Sequence, residues 1–190
     1  MDEFVQRRIR LAQALVADKL DAFVAETGHT FKYYANVSQP EWEVWEPEER
    51  PFLMIVQPHR NETTGEIFPI TTFLAPYFEL ERARLLKMPF DDTPKFLPWK
   101  EHWNPYTVLR SSWKFYSTRE NQTDNNEPKI MVDDEIRDFI QRGLGENGFE
   151  VVGLGGEVER VKQTKSSREI QIIRGVNTGR VEAVRATELQ

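Results

Sequence analysis

The run Phe52-Leu-Met-Ile-Val56 is apolar at every position and is bounded by Pro51 and Pro58, and it limits the fold more than any other segment. A strand with one wet face alternates apolar and polar residues, whereas an unbroken run requires cover on both faces of a sheet. Helices on both sides of a sheet provide that cover, and the rest of the chain supplies candidates. Phe4 to Ala17 reads as a helix with Phe4, Ile9, Ala12, Leu15 and Val16 on one side. Leu20 to Glu26 reads as a strand closed by Gly28, and His29 to Tyr34 as one or two helical turns. Ser38 to Pro51, holding Pro40 and Pro47, reads as a loop, and Pro58 to Gly65 as a turn before a strand from Ile67 to Leu74.

Pro76 suits the first turn of a helix through Leu86, stopped at Pro89. Phe96 to Trp99 is a short strand, and Asn104 caps a helix that starts at Pro105 and runs toward Phe115. Ser117 to Pro128 is polar and turn-rich. Lys129 to Val132 is a strand, Asp133 caps a helix to Leu144, Phe149 to Val152 is the last strand, and Glu157 to Val161 a short helix. The alternation predicts an α/β fold, a mixed β-sheet flanked by helices.

Ser166-Ser167-Arg168-Glu169 has the form of a capping box, in which hydroxyl and carboxylate satisfy each other's free backbone donors. Ile170, Ile173, Val176, Val181 and Val184 follow as an apolar stripe. Gly175 and Gly179 each weaken such a helix by ~1 kcal/mol relative to Ala, which predicts close packing at both. With no Gly or Pro stop before Gln190, the helix is expected to lead into another domain.

No cysteine is present, so disulfides, thiolate metal sites and Cys nucleophiles are excluded. The net charge of −6 argues against a nucleic-acid partner. No apolar run approaches the ~18 residues of a membrane span, and the charged start MDEFVQRRIR leads into no signal-peptide core. Asn36, Asn61 and Asn121 begin Asn-x-Ser/Thr triplets, candidate glycosylation sites in a secreted protein. Secretory pathway and cytoplasm stay open as equal alternatives; secretion would need a leader ahead of Met1.

Several motifs together resemble one family. Leu20-Asp-Ala-Phe23, Tyr33-Tyr-Ala-Asn36, Arg50 to Val56 and the stretch Glu159 to Ile170 are similar, in order, to the creatinase/prolidase N-terminal domain of Xaa-Pro aminopeptidases and dipeptidases. Arg160, Lys165, Ser166, Glu169 and Ile170 take the places of that family's Arg-x-x-Lys-Ser-x-x-Glu-Ile link, with a slightly longer gap. The resemblance implies a domain at residues 1–162, then a linker and the first helix of a pita-bread catalytic domain at 163–190. It implies a non-catalytic role in dimerisation and substrate access, with a second subunit and the chain's own catalytic domain as partners. Divalent metals (Mn, Zn or Co) would be held by the catalytic domain on two Asp, one His and two Glu. None of those ligand motifs can be placed here, so no catalytic or metal residue is assigned and no activity is expected of this chain alone.

Weighed singly, other motifs carry little. His29, His59 and His102 form no paired spacing for a metal. Gly153-Leu-Gly155-Gly156 lacks the final Gly of a dinucleotide fingerprint, Val158 standing there, and reads as a turn more readily than as a phosphate site. Asp133, Asp134 and Glu135 read as a helix start rather than as an acid/base cluster. No G-x-S-x-G elbow occurs. In Pro40 to Arg50, Trp42 and Trp45 stand among acids, a composition suited to a proline ring or a cationic amine. Trp42, Trp45, His29 and Tyr34 are therefore the candidate substrate-access residues, against the plainer reading that both Trp pack locally. Two other classes compete: a protein-binding module derived from a peptidase fold without catalysis, and a self-contained hydrolase using scattered carboxylates, which lacks any catalytic constellation.

Overall fold

In a computed structural model the protein is described over residues 3–42, 50–90, 94–113 and 127–188. Six strands form one mixed sheet: β1 (Ala22–Glu26), β2 (Leu53–Arg60), β3 (Ile67–Pro76), β4 (Lys95–Trp99), β5 (Lys129–Val132) and β6 (Glu150–Val152), in the order β4-β3-β2-β1-β5-β6. The β1–β2 and β2–β3 pairs are antiparallel; β3–β4, β1–β5 and β5–β6 are parallel. Eight helices accompany them among the described residues: α1 (Glu3–Ala17), α2 (His29–Ala35), α3 (Gln39–Trp42), α4 (Leu80–Leu85), α5 (Pro105–Ser111), α6 (Asp138–Glu146), α7 (Gly156–Gln163) and α8 (Ser167–Glu188).

The central strands bury both faces, with alternate residues in different cores. Phe23, Ala25, Phe52, Met54, Val56, Phe73 and Met131 face one core with Leu11 and Leu15 of α1 and Val158 of α7. Val24, Leu53, Ile55, Leu74, Ile130 and Val132 face the other, with Leu109 of α5 and Ile140 and Leu144 of α6. The apolar run Phe52–Val56 is buried throughout, as its composition requires.

Several boundaries differ from expectation. The helix read from Asp133 to Leu144 starts at Asp138, because the Asp133 carboxylate is bound elsewhere in the fold. Strand β2 continues through Pro58 to Arg60 where a turn was expected, and Pro58 stands opposite Pro69 in the register. Two facing prolines fit a non-hydrogen-bonded pair of an antiparallel ladder, in which the missing N–H would have pointed outward. Pro76 closes β3 instead of opening a helix, and a 3-10 turn at Tyr77–Glu79 precedes α4. Within the expected loop Ser38–Pro51, Gln39–Trp42 is helical.

The capping box forms: Ser166 N–H donates to Glu169 at 2.7 Å and Glu169 N–H to Ser166 Oγ at 3.2 Å. Arg7 of α1 donates to Glu169 at 3.1 Å, and Ser166 Oγ to Glu3 at 3.1 Å, so the start of α8 is tied to α1. Beyond it the stripe is exposed, from 39% at Ile170 to 56% at Val184. Contrary to expectation, nothing lies within 4 Å of a Cβ built at Gly175 or Gly179.

Candidate functional site

Parallel strands leave a crevice beyond their carboxyl ends, and β1 and β5 do so here. Glu26 ends β1, and Thr27, Gly28 and His29 turn the chain into α2. From the other side, the segment after β5 brings Glu135 and Arg137. With Gln39 of α3 these residues line an open cavity of about 220 Å³.

Gly28 makes the close approach possible, since a Cβ there would lie 3.0 Å from Glu135 Oε2. That oxygen accepts from the His29 N–H at 3.1 Å, and Glu135 Oε1 meets His29 Nδ1 at 2.9 Å. The imidazole is 94% exposed, so Nε2 faces solvent. Arg137 pairs with the nearly buried Glu26, its Nε donating at 2.7 Å. The crevice thus pairs each carboxylate with a basic or imidazole group.

Beneath it lies a second network. Asp133 is buried and accepts from Thr30 Oγ1 and Lys162 Nζ, both at 2.9 Å, and Lys162 also reaches Asp134 at 2.9 Å. Burial pushes the Asp133 carboxyl up against the opposing pull of Lys162 and Thr30. Hydrogen bonding to Lys162 holds Asp134 low. Burial opposes the Lys162 charge, but the two carboxylates outweigh it and raise its pKa. These contacts fasten α7 to the end of β5.

Of the expected access residues that are described, only His29 lines the crevice. Tyr34 is buried, its hydroxyl without a hydrogen-bond partner, and burial above all raises its pKa. Trp42 is also buried: its ring stacks on Phe52 at 4.1 Å and Arg82 covers it at 4.7 Å. Trp45 falls outside the described residues, as does Asn121. Asn36 is exposed at the carboxyl end of α2 with φ 59°, and Asn61 sits at the β2–β3 turn, its side chain accepting from Thr63 and Thr64 N–H.

Glu26 and Arg137 carry no site signal in the sequence, and Glu135, which reads there as part of a helix start, lies before α6. They stand 106 and 111 residues from their partners, and only the parallel pairing of β1 with β5 joins them. Gly28 directly after a strand was the one local signal. The Gly153–Gly156 segment offers no free helix start, because Asp18 accepts from Glu157 and Val158 N–H, both at 3.1 Å. Among the described residues no group of three or more His, Asp or Glu could hold a metal, and no helix is long and apolar enough to cross a membrane.

No family model matches the chain. It is 35% identical over 188 residues to an uncharacterized peptidase of Schizosaccharomyces pombe, a match spanning 98% of this chain and 38% of that protein. Among solved structures, dipeptidase PepE of Mycobacterium ulcerans superposes with a TM-score of 0.62 at 16% identity, over 88% of this chain and 38% of that one. An Xaa-Pro dipeptidase of Bacillus anthracis gives 0.54 at 14% identity, over 90% and 39%. A Creatine_N superfamily domain of a Streptococcus thermophilus dipeptidase gives 0.53 at 16% identity, over 84% of this chain and 98% of that domain. The chain spans well under half of the full-length peptidases and nearly all of the isolated domain. It has the fold of the creatinase/prolidase N-terminal domain found in Xaa-Pro dipeptidases.

Proposed function

We propose that this chain is the non-catalytic N-terminal domain of an Xaa-Pro peptidase-like metallohydrolase, where it contributes dimerisation and substrate access. The observation that carries this reading is the match of nearly the whole chain to little more than a third of one peptidase. Hydrolysis, and the divalent Mn, Zn or Co that would support it, belong to a catalytic domain outside residues 1–162, with 163–190 as the connection. The His29–Glu135 pair at the open crevice is the point of substrate access, because its imidazole is exposed while its other nitrogen is fixed. Tyr34 and Trp42 act as buried support for α2 and α3, and Trp45 continues the segment that follows Trp42.

The test compares the isolated chain with the full-length protein on Xaa-Pro dipeptides and longer peptides. The isolated chain is expected to be inactive at any metal concentration. In the full-length enzyme, His29→Ala is expected to raise KM severalfold with little change in kcat. Hydrolysis by the isolated chain, or unchanged kinetics in that variant, would overturn the respective claim.

Exposed aromatics favour a second reading as a protein-binding module without catalysis. Tyr77, Phe78 and Trp103 are 59%, 49% and 44% exposed and Arg50 lies over Phe78, residue types enriched at protein interfaces. A full-length protein that binds partners yet hydrolyses no peptide would select it.

A further inference from the structure

A second cavity, of about 300 Å³, opens on the sheet face that carries α5, at the end away from the crevice. Ile55, Thr72 and Lys95 stand in one row across β2, β3 and β4, and Ile70 lies two residues before Thr72 on the same face. Leu109 and Ser112 of the α5 end form the wall. Helix α5 has only seven residues and, among the described residues, leaves this part of the face uncovered.

The polar groups lining it are the Lys95 ammonium, the Thr72 and Ser112 hydroxyls, the Gln57 amide and the Trp113 indole N–H, and each can donate. Lys95 is exposed and forms no ion pair among the described residues, and the Thr72 and Ser112 hydroxyls make no hydrogen bond there either. Lys95 is thus a cation beside an apolar floor in a chain rich in carboxylates. An ammonium donates only, and a carboxylate accepts only. A single ammonium with two hydroxyls suits a monoanion; tightly held phosphates more often meet an Arg fork. The volume stands at the lower end of the roughly 300–1,000 Å³ typical of small-molecule sites.

We propose that this groove binds a monocarboxylate carrying a short apolar tail, the head on Lys95, Thr72 and Ser112 and the tail on Ile55, Ile70 and Leu109. The site is separate from the crevice and does not depend on the peptidase reading.

Residue-resolved amide NMR of the 190-residue chain tests it, with octanoate as probe and octanol and octylamine as controls. Octanoate is expected to give saturable shifts confined to Thr72, Lys95, Ser112 and the Trp113 indole. Lys95→Met is expected to weaken octanoate at least tenfold and leave octanol unchanged, and Lys95→Arg to keep most of the affinity. Ile70→Trp, which fills the groove, is expected to abolish binding in a chain whose remaining spectrum is unaltered. N-acetyl-leucine distinguishes the source: preference for octanoate assigns the site to lipid-derived acids, and preference for N-acetyl-leucine to a hydrophobic C-terminal residue. No saturable shift, equal binding of octylamine, or full affinity in Lys95→Met would each sink the proposal.

Discussion

Asp18 fixes the start of a helix about 140 residues further along the chain, because its two oxygens take the first free N–H groups of α7. Removing a carboxylate cap costs ~0.5–2 kcal/mol. Asp18→Ala is therefore expected to lower stability by about that amount in urea unfolding, and Asp18→Asn, which keeps one acceptor oxygen of the two, to restore only part of it. Gly156 beside it has φ 59°, and a Cβ there would sit 2.6 Å from Asp18 Oδ2, so Gly156→Ala should be at least as harmful. Trp42 poses a different problem. A fully buried Trp changed to Ala typically loses ~3–5 kcal/mol, which would confuse loss of folding with loss of substrate access. Trp42→Phe keeps the stack on Phe52, whose centroid is 4.1 Å away, and is the variant whose kinetics can be read.

At the scale of elements, α6 lies so close to α5 that a Cβ on Gly143 would meet the Tyr106 ring at 2.1 Å. Relieving such overpacking usually costs ~1–3 kcal/mol, more than the helix propensity gained. Gly143→Ala is expected to lower the thermal midpoint, and adding Tyr106→Leu to recover part of the loss; equal midpoints for Gly143→Ala and the parent chain would show that the ring moves freely. The sheet itself was legible in the sequence. Ile130–Val132 and the buried run at Phe52 are apolar over short lengths between breakers, a signal that survives in any context. The start of α6 was not legible. Asp133 has the side chain of a cap, yet Thr30, 103 residues away, and Lys162 take its carboxylate, and a helix cap is a local preference that such partners override. The crevice was half legible for the same reason: His29 follows a strand and a glycine, but Glu135 and Arg137 reach it only through the β1–β5 pairing.

Across the whole molecule, Glu169 and Ser166 tie the first turn of α8 to α1. Burial opposes the Glu169 charge, but the Ser166 hydrogen bonds and Arg7 outweigh it, so its pKa lies below the ordinary 4.5. A depressed carboxylate contributes stability that is complete above the ordinary value and disappears as pH falls through the lowered one. Hydrogen exchange at the first turn of α8 is thus expected to lose protection below about pH 4.5, after correction for intrinsic rates, and Arg7→Met to move that loss to higher pH. Elsewhere, β2 outruns its partner β1 after Val56, and β3 extends ahead of β4 before Thr72, so among the described residues the ribbon leading to Asn61 pairs with no third strand. Such edges invite another chain to add as a further strand. Pro58, itself buried, and Pro69 remove an outward donor from each edge at the same level, which leaves another chain less to pair with. Replacing both by Thr should leave the fold intact and turn a clear concentrated solution cloudy on standing.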